Sequence, residues 1–282
     1  MLAMPESRHR VPGKDLGHGG GPVNGESRAG RDGAGTPILL DLGAPIWQAG
    51  PATAKEGTDM SEWFEFSAAL ALFMLSHAIP VRPPVRPWLV ARLGLRGYYL
   101  AYSLLSLAVL YWLIVAAARA PYVQVIPPLD LLRWLPLLAM PVVCLLAVAG
   151  LSAVNPLSFG GMGRGVFDPE RPGILGLSRH PLLLAAAIWA GAHLLANGDL
   201  AHVILFGLFA GFGVAGMALI DRRKRRDMGA DAWGALSRNT ARLSLARLRQ
   251  ACPPPWQWAV AAIVYGVLIW LHAPVIGVPP LP

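Results

Sequence analysis

The stretch from Ser178 to Arg226, "SRHPLLLAAAIWAGAHLLANGDLAHVILFGLFAGFGVAGMALIDRRKRR", holds two oily runs joined by a turn and closed at its far end by a block of cations. The runs, 181 to 197 and 200 to 220, approach the roughly 20 residues that cross about 30 Å of hydrocarbon at 1.5 Å per residue. In hydrocarbon the backbone must satisfy its own hydrogen bonds, so both runs are read as helices. The short link Asn197-Gly198-Asp199 makes them antiparallel neighbours, with Asp199 placed to cap the second.

Working outward, four more apolar runs cover residues 63 to 80, 98 to 118, 134 to 154 and 257 to 275. The expected architecture is an all-α polytopic transmembrane bundle of about six helices over residues 60–275, with a short tail at 276–282. Composition agrees: 55% of the chain is hydrophobic and 14% charged, against about a quarter charged in soluble domains. The formal charge of +8 does not point to nucleic acid, because the cations gather in the connections between apolar runs. Cys144 and Cys252 have no CxxC spacing, which predicts neither a structural disulfide nor a thiolate metal site.

Residues 1–59 are rich in Gly, Pro and charge and show no apolar periodicity. They are expected to be a disordered extension, and Met60, which opens the first run, is a candidate for the true translation start. Sixteen Lys and Arg residues fall in the connections after the first, third and fifth runs, while Arg119 and Arg133 lie on the other side. The positive-inside rule then puts the sixteen in the cytoplasm and both termini in the periplasm. The basic segment "DRRKRRD" after the fifth run is expected to meet anionic lipid headgroups.

Ionisable groups inside or at the edges of membrane helices are costly, which makes the histidines informative. His77 closes the first run, His180 opens the fourth, and His193 lies near the fourth run's far end. His180 and His193 are 13 residues apart, about 20 Å along a helix and about 140° around it, so they cannot share one metal. His180 instead shares an end of the bundle with Arg179 and with Asp221, the last polar group of the antiparallel partner helix. That trio fits a structural ion pair or a polar site. Around His193, Ala186 and Ala190 leave room for a flat ligand or for close helix packing, as do Gly207 and Gly211 in the next run. Pro136 and Pro141 predict a kink in the third run. No phosphate loop, HExxH or GxSxG is present.

The segments "SHAIPVRP" (76–83), "VAGLSAVNPLS" (148–158), "RPGILGLSRHP" (171–181), "WAGAHLLANGDLAHVILFGLFA" (189–210) and "IDRRKRR" (220–226) together resemble the NnrU family. The resemblance implies a multi-pass bacterial inner-membrane protein linked to nitrite and nitric oxide reduction, either catalytic or accessory to a reductase or transporter. The same family contains zeta-carotene isomerase, a haem b enzyme acting on a membrane-dissolved polyene. Its haem ligands fall by position on His77 and His193, with His180 the alternative partner, and the cysteine it carries three residues before the second ligand is Ala190 here. One iron needs both imidazoles at one depth, whereas the topology places His77 and His193 at opposite ends.

A more distant resemblance is to the isoprenylcysteine and phospholipid methyltransferases, which bind S-adenosylmethionine beside an RHP-initiated hairpin. Their Tyr and Gly after RHP are Leu183 and Ala185 here, and their Glu-Glu pair is replaced by the basic segment.

Overall fold

The computed structural model describes residues 60–281, so the expectations for the N-terminal extension lie outside the described residues. Each apolar run is a helix: α1 (Met60–Ala78), α2 (Val85–Arg119), α3 (Asp130–Ser152), α5 (Pro181–Asn197), α6 (Leu200–Met228) and α8 (Pro255–Ile276). Two short helices, α4 (Ile174–Leu177) and α7 (Ala230–Ser237), lie in the connections. No strand forms among the described residues. By length and composition, α2, α3, α6 and α8 are each able to cross a membrane. The 17 residues of α5 reach only about 26 Å, and α1 opens with Glu62 and Glu65, so these two depend on their neighbours.

Two connections are more helical than the sequence suggests. The arginine-bearing segment before Tyr98 is largely part of α2, which starts at Val85 and breaks at Gly94 (φ 69°, ψ 166°). Likewise the basic segment after the fifth run is the last two turns of α6 rather than a loop. Arg and Lys are good helix formers, and at a C-terminus they face the negative end of the helix dipole. The third run carries Pro136 and Pro141 within one continuous helix.

Helix α5 lies between α3 and α6; α1 packs on α2, α2 also touches α6, and α8 rests on α3. One core joins Phe66, Ala69 and Phe73 of α1 to Val109, Leu113, Ala116 and Ala117 of α2 and Ala201 and Leu205 of α6. These are the three- and four-residue spacings of a helix face. The opposite faces are equally apolar: Leu107 is 64% exposed, Leu138 70% and Trp270 74%. Water would not tolerate that much oily surface, whereas lipid does.

The hairpin turn forms as its sequence requires. Gly198 takes φ 68°, a left-handed conformation that ends α5, and the Asp199 carboxylate accepts the His202 N–H at 3.2 Å to cap α6. The α2–α3 loop clasps this turn, with Val125 and Ile126 N–H donating to the Gly198 carbonyl at 2.9 and 2.8 Å. Small residues bring α5 and α6 together; of the expected pair, Gly207 meets α5 only at ordinary contact distance, 3.6 Å from a built Cβ to Leu194 Cδ1, and Gly211 does not meet it. The close approach is at Gly213, where a Cβ would meet the Leu183 carbonyl and Ala187 Cβ at 2.9 Å, whereas at Gly211 it would meet nothing within 4 Å.

Gly213→Val is therefore expected to lower stability by about 1–3 kcal/mol through overpacking, while Gly211→Val is nearly silent. Melting temperatures of the two variants in the same detergent check this, and equal losses would refute the assigned helix contact.

Candidate functional site

At the arginine-rich end of the bundle three chain segments converge on the start of α5. After α4 the chain extends through Ser178 and Arg179, and Pro181 at the first helical position makes His180 the N-cap. The backbone there is held from two sides. Arg179 N–H donates to the Ala241 carbonyl at 2.7 Å and Ser244 N–H to the Leu177 carbonyl at 2.9 Å, while the Asn155 amide donates to the Arg179 carbonyl at 3.0 Å.

His180 is fully buried, with 0% of its surface exposed. Its Nε2 lies 2.9 Å from Asp221 Oδ1 and its Nδ1 2.9 Å from Ser158 Oγ. An ionised carboxylate only accepts, so Nε2 carries the proton, and in the neutral ring Nδ1 accepts from the Ser158 hydroxyl. Burial pushes the His180 pKa below its usual value, and the Asp221 hydrogen bond and charge only partly oppose this. The other Asp221 oxygen accepts from Arg242 Nε at 2.6 Å, and Arg179 Nε lies 3.8 Å from Oδ1. Burial also lowers the Arg179 pKa from its ordinary value, with Asp221 working against it.

Beside this buried bond opens a cavity of about 400 Å³ lined by Arg179, Asp221, Arg222, Arg225, Trp233 and Arg242. The Arg179 guanidinium lies over the Trp233 ring, 5.4 Å from its centroid. Four guanidinium groups around one carboxylate make a site for anions.

The structure thus brings Arg179, His180 and Asp221 together and leaves His77 and His193 elsewhere. The His77 Nδ1 donates to the Phe73 carbonyl at 2.8 Å and the His193 Nδ1 to the Trp189 carbonyl at 2.8 Å, so in each neutral ring Nε2 carries the lone pair. As single donors both suit a haem iron. The ring contacts between the two run through Phe73, Phe209 and Trp189. His193 packs against Phe206, and Phe73, one turn before His77, packs edge-on against Phe209. Among the described residues no three His, Cys, Asp or Glu side chains are grouped to hold a metal ion.

Sequence reasoning missed Ser158, Asn155, Arg242 and Trp233. The Asn155-Pro156 pair stood within a motif segment and could have been flagged. Arg242 could not, being one cation among many in a long connection.

Long apolar helices, oily outward faces and a polar site confined to one end define a polytopic integral membrane protein. The family model described as "NnrU protein" matches residues 65–280, and the chain belongs to the NnrU family. Neither a curated protein nor a solved structure matches it.

The depressed His180 pKa predicts an acid limit to stability. The unfolded ring, with a pKa near 6.5, binds a proton that the folded ring resists. Its stabilising contribution is whole above that value and is lost as the pH falls below it. The melting temperature is expected to drop between about pH 7.5 and about pH 5, and the drop should be shallower in His180→Gln. A slope unchanged in the variant would place the titrating group elsewhere.

Proposed function

We propose that this NnrU-family protein binds the anionic group of a membrane lipid or lipid-soluble metabolite at its arginine-rich end. The observation that carries this reading is the cavity of Arg179, Arg222, Arg225 and Arg242, in which the one carboxylate, Asp221, is already engaged by His180 and Arg242. Guanidinium forks match phosphate and carboxylate oxygens two at a time, and near the low-dielectric edge of a bilayer such bonds are stronger than in water. The positive-inside rule assigns this end to the cytoplasmic leaflet of a bacterial inner membrane. Such a site serves a protein that acts on a lipid-soluble substrate, and equally one that supports a reductase or transporter of nitrogen-oxide respiration. It does not suit S-adenosylmethionine, whose sulfonium cation four guanidinium groups repel.

In nanodiscs of mixed phosphatidylcholine and phosphatidylglycerol, native mass spectrometry is expected to show preferential retention of the anionic lipid. Arg222→Gln/Arg225→Gln should reduce that preference roughly tenfold, equivalent to about 1.4 kcal/mol. Equal retention of both lipids by the unmodified protein would overturn the reading.

Haem b is a second reading, favoured by the unprotonated Nε2 that the Nδ1 hydrogen bonds leave on His77 and His193. When bound it supplies a redox-active iron; His193, among Trp189 and Phe206, would be one ligand. A Soret band in the purified protein that weakens in His193→Ala supports haem, and a band indifferent to both His77→Ala and His193→Ala counts against these ligands.

A further inference from the structure

We propose that the anion taken by the arginine cavity is a diphosphate, a class of ligand more specific than the general anion reading on which this inference rests. Charge decides it. Four guanidinium groups against the Asp221 carboxylate leave three positive charges around about 400 Å³. A carboxylate or a phosphodiester brings one negative charge and leaves a strongly cationic cavity at the edge of hydrocarbon. A phosphate monoester brings about 1.5 to 2, and adding the inner phosphoryl group of a diphosphate brings the total close to three. The volume lies in the lower part of the range of small-molecule sites, enough for two phosphoryl groups but not for a large soluble ligand held whole.

Donor geometry gives an independent reason. The Nε–H of Arg179 is buried and has no hydrogen-bond partner; Asp221 Oδ1, its ion-pair partner, is 3.8 Å away and already bonded to His180. A buried donor of this kind costs about 1–3 kcal/mol unless an acceptor reaches it. Arg222 and Arg225, one turn apart on α6 and both exposed, line the same cavity. An anion in the cavity therefore meets one buried donor, the Arg179 Nε–H beside Trp233, together with the exposed Arg222 and Arg225. Two linked phosphoryl groups offer this donor set more acceptors than a single one does. The shared chemistry is the diphosphate, whether it ends an isoprenoid chain in the bilayer or arrives from solution.

The test is equilibrium binding to the full-length protein in phosphatidylcholine nanodiscs, with inorganic pyrophosphate, inorganic phosphate and farnesyl diphosphate as probes. Pyrophosphate is expected to bind at least about tenfold more tightly than phosphate, and the difference should vanish in Arg222→Gln/Arg225→Gln but persist in Arg226→Gln, a neighbouring cation outside the cavity lining. Both substitutions are on the exposed surface, so the fold is preserved. Farnesyl diphosphate binding more tightly than pyrophosphate identifies a lipid-borne source, and equal binding identifies a soluble one; both support the diphosphate. Phosphate binding as well as pyrophosphate would overturn this inference and leave the anion reading intact. If no anion binds, both fall.

Discussion

The buried hydrogen bond between His180 and Asp221 is the constraint around which this end of the molecule is organised. A carboxylate in an apolar bundle costs several kcal/mol unless its lone pairs are met. Here α5 supplies a neutral imidazole at 2.9 Å and the segment after α7 supplies Arg242 at 2.6 Å. Each bond is charge-assisted, of the kind worth about 1.5–3 kcal/mol. Because His180 in turn accepts from Ser158, one acid fixes the α3–α4 connection, the start of α5, the end of α6 and the returning segment together. The arginines of the cavity are presented from that fixed frame, and Arg242 is itself part of it.

The rest of the bundle obeys a different economy. Its helices meet through small residues and a modest set of buried side chains, and most large apolar groups point outward. Lipid chains compete with helices for oily contacts, so adhesion comes from close backbone approach and from polar clasps at the ends. Gly213 is the first kind. At the other end of the bundle, the clasp of Gly198 by the α2–α3 loop and the Glu65 contacts with Trp112 and Arg119 are the second.

The helices were legible because membrane spans announce themselves in length and composition, and the Asn197-Gly198-Asp199 turn was legible because a left-handed glycine followed by an acidic cap has one physical use. Asp221 could be placed near Arg179 and His180 for the same reason: antiparallel neighbours joined by a short turn bring residues at similar counts from it, here within about one helical turn, to nearby levels. What escaped was the choice among equivalent residues. Gly207, Gly211 and Gly213 all offer a gap, and the rotation of α6 that selects Gly213 is set by the whole set of neighbours, which no local pattern encodes. Arg242 escaped because its role depends on a return of the chain after α7. The helical state of the basic segment was obscured by reading charge as a boundary, when charge only marks where hydrocarbon ends.

That boundary explains why the acid sits where it does. From Leu200 to Asp221 is about 32 Å along α6, close to the thickness of the hydrocarbon layer, while the 29 residues of α6 extend about 44 Å. Asp221 is thus about one hydrocarbon thickness from the turn, and the arginines after it lie beyond that distance. Counting back from the same turn, His180 is about 26 Å deep, some 6 Å short of Asp221. Helical side chains lean toward the N-terminus of their helix. The Asp221 side chain on α6 therefore leans back toward the turn and down to the level of His180. A shift of the acid by one residue would turn it about 100° away from α5, leaving the imidazole with no acceptor and the cavity with no floor.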